Sequence, residues 1–413
     1  MTDFNQWLTS HDQERVVLIE ADYLDGGSLG TLYLSNRPFI SSPTDTPSDQ
    51  AYDDVILSGL EYTRTIEGRT SGEYTAEVTS VDLAASPEIV QARNFEFSGQ
   101  TVRVYMGDQR WNRDDFVLIA VLQGETLVES GRERYVFRML STPYDLDQNV
   151  NVETVSSGDN AGRTRPLVLG SCLNISPIKG NDSGTSWIVS DGQVSSISAV
   201  RVDGSSTSFT ANTANGLFTT SSEPSGTITA DVVGEAGANL QAVLRYLLDR
   251  LGVTERDEAA IDSLPVVDVG LFSSGSITYR EAFDKLLGSV GAFWGFTRFG
   301  VFTVGVVSVP SGSPSALLTP DDIQVDGVDF LSRLTPAKEV SLLYDKNFTT
   351  QDTRTTEGKR ARSVNTGIET LYPDAEIRET VSLLRGDTSA QTEADRRSQL
   401  FSAPHRVYSV ETF

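Results

Sequence analysis

The sequence predicts a mainly β, multi-domain protein with a smaller α+β part. Short runs rich in Val, Ile, Tyr and Phe, separated by turns that contain glycine, occupy most of the chain up to residue 233. At Asn239 the apolar residues change to the spacing of an amphipathic helix. A length of 413 residues is enough for about two to four domains.

The first predicted domain, residues 1–160, is an antiparallel β domain. Its runs "RVVLIEADYL" and "TLYLSN" flank the turn sequence "DGGSLG", a pattern that predicts a hairpin. Three more strands are predicted in "TVRVYMG", "DFVLIAVLQGETLVES" and "RYVFRML". Residues 41–50, rich in Ser and Pro, are predicted to form a surface loop. Apolar residues become sparse after residue 144, so we place the domain boundary near 158–162.

Two further domains are predicted before residue 311. Residues 161–236 have short strands and Asp-Gly or Asn-Gly turns, and are predicted to form a small β domain. Residues 237–310 are predicted to be an α+β domain with two helices. The second helix begins at Thr278, with Glu281 completing a capping box. The first helix ends at Gly252 and has an apolar stripe of Leu240, Val243, Leu244, Leu247, Leu248 and Leu251.

An aromatic segment, "GSVGAFWGFTRFGVFTVG", follows the second helix. It is either a platform that stacks against a sugar or a nucleic-acid base, or the core of a helix-on-sheet unit. Strand alternation places Trp294 and Phe296 on one side and Phe293 on the other, and only Thr297 and Arg298 supply polar groups. The segment is therefore predicted to be two strands joined by a tight turn, with the rings packed under the helix.

Residues 311–413 are predicted to form a C-terminal α+β domain. The composition of residues 310–322 predicts a linker, and residues 349–367 are polar and predicted to be flexible. A helix is predicted around "TEADRRSQLFS", and a strand in "HRVYSVETF".

Charge and cysteine content exclude several classes of protein. The chain has 33 Lys and Arg against 57 Asp and Glu, a net charge of −24, which disfavours sequence-wide binding to DNA or RNA. The first 60 residues hold ten carboxylates against Arg15 and Arg37, so one surface is expected to be more acidic than another. Cys172 is the only cysteine, which excludes an internal disulfide or a cysteine-based zinc site. The N-terminal residues predict no signal peptide, and no apolar run predicts a membrane span.

No catalytic, cofactor-binding or metal-binding residue is predicted. Residues 26–30, "GGSLG", match a nucleophile elbow in letters, but a strand follows them, so a hairpin turn is the better interpretation. The four-residue match "SPIK" at Ser176 to Lys179 has no partner motif and is attributed to chance. His11 and His405 are the only histidines, too few for histidine-based metal catalysis.

Two charged segments are candidate binding sites. "DLDQNVNVE" could place Asp145, Asp147, Asn149, Asn151 and Glu153 on one face as calcium ligands, but it lacks the glycine of an EF-hand, and a solvated strand face is the better interpretation. The basic segment "RTTEGKRAR", residues 354–362, could seat a phosphate or a neighbouring subunit, or pair with carboxylates of its own chain. The Arg385-Gly386-Asp387 triplet and the sequons at Asn174, Asn181 and Asn347 support no assignment.

The order of segments carries a resemblance. "PLVLGSCLNISPI", "VSDGQVSSISAVRVDG", "LFTTSSEPSGTITADVVG", a leucine helix and "SITYREAFDKLLGSVGAFWGFTRFGVFTVG" follow one another. This order resembles the baseplate hub or tail-tip hub proteins of long-tailed bacteriophages, and "FEFSGQTVRVYMGD" to "ERYVFRML" is similar to their N-terminal part. The resemblance covers residues 16–413 and is strongest over residues 166–304.

The resemblance implies a non-enzymatic virion subunit made in the bacterial cytoplasm. Hub proteins contain domains related to the tail-tube fold and form a trimeric ring that joins the tube and distal tail protein to the spike, fibres or tip; the tape measure is a further expected partner. A ring lined by acidic residues would let DNA pass without sticking. Hub proteins often continue beyond a strand like "HRVYSVETF", so we expect either that a partner chain completes the last domain or that the hub is a shortened one.

Three other functions remain open from the sequence. A distal tail protein would be a hexameric adaptor. A carbohydrate-binding adhesin of the tail tip would use Trp187 and Trp294. A glycosidase would use two of the many carboxylates.

Overall fold

The computed structural model describes residues 4–8, 10, 13–58, 61–66, 70–78, 80–141, 144–309, 313, 317–319, 323–349 and 359–412. Within these ranges the chain is mainly β, with several sheets and a few short helices. The predicted fold class is confirmed.

The N-terminal part is built on an eight-stranded sheet. Its elements are α1 (Phe4–Leu8), β1 (Arg15–Asp25), β2 (Ser28–Ser35), β3 (Phe39–Ile40), β4 (Ala51–Asp54), β5 (Tyr62–Ile66), β6 (Gly72–Val78), β7 (Val81–Ala84), α2 (Pro87–Ala92), β8 (Thr101–Asp108), β9 (Val117–Gly131) and β10 (Arg134–Leu140). The sheet order is β3-β4-β2-β1-β8-β9-β10-β7, and β2 and β4 are parallel. The predicted hairpin is confirmed, with Gly26 and Gly27 at φ of 55° and 92° in its turn.

Strand β1 is buried on both faces because apolar residues occupy even and odd positions. Ile19 and Ala21 face the main core of this part, and Val16 and Leu18 face a smaller aromatic cluster. Glu20 shares the face of Val16 and Leu18, since side chains alternate along a strand. A carboxylate therefore lies inside the aromatic cluster.

The second part contains two small sheets. Its strands are β11 (Leu167–Ile175), β12 (Ile178–Lys179), β13 (Ser186–Ile188), β14 (Val194–Val202), β15 (Ser205–Ser206), β16 (Thr210–Asn212), β17 (Leu217–Thr219) and β18 (Ile228–Gly234). One sheet has the order β12-β13-β17-β16, and β15, β14, β18 and β11 lie side by side in the other. Cys172, on β11, is fully buried, and burial raises the pKa of its thiol.

Both predicted helices form where the sequence places them. The elements of this part are α3 (Leu240–Leu251), α4 (Glu258–Asp262), β19 (Asp268–Ser273), α5 (Tyr279–Gly288), β20 (Ala292–Phe296) and β21 (Phe302–Val306). Asn239 caps α3, which ends at the left-handed Gly252, and Thr278 caps α5 through the amide of Glu281. The hairpin β20–β21 is antiparallel, as predicted.

Sheets cross the predicted domain limits. Strand β6 pairs with β20 in parallel, giving the sheet order β21-β20-β6-β5. Gly295 permits this approach, since a Cβ there would lie 2.5 Å from the carbonyl oxygen of Tyr74. The division at residues 160, 236 and 310 stays a prediction, but the segments on either side share sheets.

The C-terminal part adds a three-stranded sheet and a two-stranded ribbon. Its elements are β22 (Ile323–Leu334), β23 (Ala337–Tyr344), β24 (Lys359–Val364), α6 (Thr366–Leu371), β25 (Glu376–Val381), β26 (Leu384–Arg385), α7 (Asp387–Leu400) and β27 (His405–Thr412). Strand β23 lies between β24 and β25. The prediction of a flexible polar stretch over residues 349–367 is wrong for β24, because this strand pairs with β23 and Ala361 is buried there. Residues 350–358 and most of the predicted linker lie outside the described residues.

Helix α7 fastens the C-terminal part to the helix–hairpin unit. The Arg397 guanidinium donates to the carbonyl oxygen of Gly288 at 2.7 Å, and Arg396 donates to those of Val290 and Val307. Glu393 accepts from both arginines and balances their charge. Strand β26 also adds to β19, completing the sheet order β15-β14-β18-β11-β19-β26.

Candidate assembly surfaces

The aromatic segment is part of the core rather than an exposed platform. The Trp294 side chain is fully buried, with ring centroids 5.0 Å from Phe283 and 6.3 Å from Phe302. Its indole nitrogen donates to the Asp284 carboxylate at 2.8 Å. Phe299 is in the turn and is exposed. The predicted helix-on-sheet packing is confirmed.

The other tryptophan considered for sugar binding is half-buried. Trp187 lies on β13 opposite Phe218 and packs against the core of the second part. Neither Trp187 nor Trp294 presents a fully open ring face to solvent.

The short motifs have separate structural partners. Ser176 bonds to Thr349, and Lys179 pairs with Glu223, so the two ends of "SPIK" are engaged elsewhere. His405 bonds to the carbonyl oxygen of Leu400 at 2.7 Å, and His11 lies outside the described residues. In the part of the chain that the structure describes, no cluster of three or more His, Cys, Asp or Glu side chains could hold a metal ion.

The interpretation of "DLDQNVNVE" as a solvated strand face is wrong. These residues form no regular strand, and Asn151 is buried. Its amide nitrogen donates to the carbonyl oxygens of Arg165 and Gly275, and its amide oxygen accepts from the Ile277 amide. Asn151 therefore joins the chain segments on either side of the second part.

The basic segment pairs with carboxylates of its own chain. Lys359 contacts Asp345 and Asp387, which is the acid of the Arg-Gly-Asp triplet. Arg360 pairs with Glu379 in the same sheet. Arg354 lies outside the described residues.

Among the acids that pair with the basic segment, Glu339 is the most buried, and its pairing predicts that stability depends on pH. Hydrogen bonds from Arg362, and from Ser341, outweigh burial and lower the pKa of Glu339 from 4.5 to about 2. The stabilisation is complete above pH 4.5 and is lost as the pH falls towards 2. We expect Glu339→Gln to lower the free energy of unfolding by about 1 kcal/mol at pH 7, since water around Arg362 screens the pair.

Urea unfolding at pH 7, 5 and 3 tests this prediction, and the difference between wild type and Glu339→Gln should shrink as the pH falls. Glu129→Gln is the matched control, since Glu129 is exposed and lies 3.8 Å from Arg93. A difference that stays constant with pH would contradict the prediction.

A buried polar network holds the aromatic cluster of the N-terminal sheet. The Arg113 guanidinium donates to Glu20 at 2.6 Å and to the Tyr52 hydroxyl at 2.9 Å, and Tyr52 donates to Glu20 at 2.6 Å. The guanidinium also stacks over the Tyr105 ring at 3.7 Å. The Arg113 amide donates to Asp45, which anchors the predicted loop at residues 41–50.

The pKa values in this network follow its burial and charge. Burial, and then the bond to Glu20, raise the pKa of the Tyr52 phenol well above its ordinary value. Burial acts to lower the pKa of Arg113, but the bond to Glu20 and the attraction of that carboxylate raise it. Arg113 therefore stays charged, and its ion pair with Glu20 is maintained.

A groove opens beside this network at the edge of the sheet. It has a volume of about 600 Å³, and we call it the edge groove. Tyr23, Tyr33 and Phe95 line it, and Ile40 on its rim is 71% exposed. Its charged lining residues are Asp53, Asp54 and Glu88, all acidic.

The edge groove includes an open strand edge. Strand β4 pairs with β2 only at Leu34 and Ser35, so the outer edge of β2 before Leu34 has no ladder partner among the described residues. Thr31, Leu32 and Tyr33 of this edge line the groove. An unpaired strand edge beside apolar side chains is a site where another strand can add.

The second open surface is the ribbon of β22 and β27, which we call the C-terminal ribbon. No third described strand joins it, and a lone two-stranded sheet has little stability of its own. The Phe330 and Tyr408 rings contact each other at 5.7 Å. One face carries four large side chains that are 42% to 58% exposed: Val328, Phe330, Tyr408 and Val410.

The same face of the ribbon is basic at one end. Arg333 lies directly opposite Arg406, and Arg406 is two residues from Tyr408, so these guanidinium groups share the apolar face. Neither forms an ion pair with another described residue, and like charges opposite each other disfavour the pairing. An acidic partner would relieve this repulsion.

Sequence reasoning missed the edge groove, the Arg113 network and the exposure of the ribbon. One signal could have found the network: Glu20 interrupts the run "RVVLIEADYL", and a lone acid in a buried strand requires a cation. The sequence carries no such signal for the open strand edges, because pairing between distant strands determines which edges stay unpaired.

No protein family and no curated protein matches the chain. One matching solved structure is titled "Virion of native gene transfer agent (GTA) particle"; the TM-score is 0.24 and the identity 8%, over 57% of this chain and 84% of that chain. That similarity is too low to carry a fold or a role across. Among the described residues no helix is long and apolar enough to span a membrane.

Proposed function

We propose that the chain is a structural subunit of a bacteriophage tail that forms the central hub ring of the baseplate or tail tip. In this role it joins the tube and the distal tail protein to the tip, spike or fibres, and it contributes contacts rather than catalysis. The observation that carries the proposal is the order of segments over residues 166–304, which resembles the hub family.

The packing of those segments supports the proposal. Strand β11 lies between β18 and β19, and the buried stripes of α3 and α5 join one continuous core with the aromatic hairpin. The segments on which the resemblance rests therefore form a unit of two cores that meet at β11. Such a unit can hold its outer surfaces in fixed positions within an assembly.

The unpartnered surfaces provide further support. The edge groove and the C-terminal ribbon are different patches of one chain, and contacts between different patches generate rings when the rotation closes. The chain has 57 acidic and 33 basic residues, and this acidic excess would keep DNA from sticking to the wall of such a ring.

Immunogold electron microscopy tests the location. An antibody against the purified chain should label particles from a bacterium that carries the gene at the tail end away from the head. Label along the whole tail, on the capsid or on no particle would contradict the proposal. Symmetry of the labelled end then separates the roles, because a hub ring has three copies and a distal tail protein has six.

A further inference from the structure

We infer that the C-terminal ribbon of one copy seats in the edge groove of a second copy and adds a strand to the open edge of β2. The inference rests on the ring assembly proposed above and names its contact. Three independent properties of the two surfaces complement each other: their open strand edges, their apolar side chains and their charges.

Backbone geometry is the first property. Strand β2 has an outer edge without a ladder partner before Leu34, and each strand of the ribbon has one unpaired edge among the described residues. Adding a ribbon strand to β2 would satisfy hydrogen-bonding groups on both sides and extend a sheet of eight described strands. The ribbon would then be part of a larger sheet, which removes the instability of two strands alone.

Apolar contact is the second property. The ribbon face of Val328, Phe330, Tyr408 and Val410 has no cover, and on one face of the sheet the groove presents the stacked rings of Tyr23 and Phe95. The exposed Ile40 on the groove rim adds to this apolar surface. Burying both surfaces against each other removes apolar area from water, which favours association.

Charge is the third property, and it favours the groove over a second ribbon as the partner of the ribbon face. The ribbon face ends in Arg333 and Arg406, whereas the groove rim carries Asp53, Asp54 and Glu88. A second ribbon would bring two more arginines to the first pair. The acidic groove of a second copy instead offers carboxylates beside an apolar floor, so the contact is between unlike patches.

Cysteine cross-linking tests the geometry. The native Cys172 is fully buried, so Ile40→Cys and Tyr408→Cys provide the only accessible thiols. An equimolar mixture of the two variants at ~100 µM should give at least ten times more disulfide-linked dimer than either variant alone. Equal or stronger cross-linking of Tyr408→Cys with itself, or no cross-link in the mixture, would overturn the inference.

Charge reversal tests the complementarity. The groove variant Asp54→Lys/Glu88→Lys and the ribbon variant Arg333→Glu/Arg406→Glu should each weaken association at least tenfold in sedimentation velocity. The chain that carries all four changes should associate again to within about threefold of wild type, because opposite charges face each other once more. Circular dichroism melting must show that each variant is folded.

The outcomes separate this inference from the proposed function. Failure of the four-change chain to recover, or a wild type that stays monomeric at ~100 µM, overturns the groove-and-ribbon contact even if gold labels the tail end. Labelling elsewhere overturns the hub proposal, whereas the cross-linking result would still decide whether two copies meet at these surfaces.

Discussion

Replacing Arg113 by alanine is expected to lower the free energy of unfolding by about 3–5 kcal/mol, because it leaves Glu20 as an unpaired buried carboxylate. The Arg113 and Glu20 side chains are 7% and 10% exposed, so water cannot replace the lost hydrogen bonds. The variant also loses the stacking on Tyr105. Urea unfolding followed by circular dichroism measures the change.

Two controls sharpen this measurement. Arg93→Ala removes an exposed ion pair with Glu129 and should cost no more than about 1 kcal/mol. The double variant Glu20→Leu/Arg113→Met should recover part of the loss, since a well-packed apolar pair carries no buried charge. An Arg113→Ala variant as stable as Arg93→Ala would show that the network does not hold the sheet together.

Trp294→Ala is expected to cost about 3–5 kcal/mol of unfolding free energy, because it leaves a large cavity among rings that cannot fully collapse. It also removes the donor to Asp284. Phe299→Ala is the matched control on the same hairpin; that side chain is 40% exposed, and its loss should change stability by about 0.5 kcal/mol or less. Thermal and urea unfolding compare the two variants.

The same pair of variants separates a structural role from sugar binding. If Trp294 only supports the fold, Trp294→Ala lowers stability and no glycan-array signal depends on it. A variant of wild-type stability that loses a glycan signal would instead support the adhesin interpretation. The burial of Trp294 on all sides favours the first outcome.

Local pattern predicted much of this fold. The leucine stripe of α3, the capping residues Asn239 and Thr278 and the turn at Gly26 each depend on neighbours within a few positions, so the sequence alone specifies them. For the basic segment the sequence leaves three alternatives open, because the acids that pair with it, such as Asp345 and Glu379, lie elsewhere in the chain.

Long-range pairing set the limit of prediction. Glu20 and Arg113 are 93 residues apart, and no sequence pattern near either residue identifies the other as its partner. The parallel pairing of β6 with β20 joins Tyr74 to Gly295 across most of the chain. No residues were predicted as a catalytic or cofactor site, and the candidate surfaces proposed instead come from strand edges that only the assembled sheets reveal.

The contacts that α7 makes with the helix–hairpin unit have a consequence for synthesis of the chain. Arg396 and Arg397 close on carbonyl groups of residues 288, 290 and 307, and β26 supplies the last strand of a sheet that begins at β11. A growing polypeptide leaves the ribosome N-terminus first, so this core stays incomplete until almost the whole chain has emerged. Any product of premature termination before α7 would expose the unfinished core. Proteases of the cell could then degrade these truncated chains before they are incorporated into an assembly.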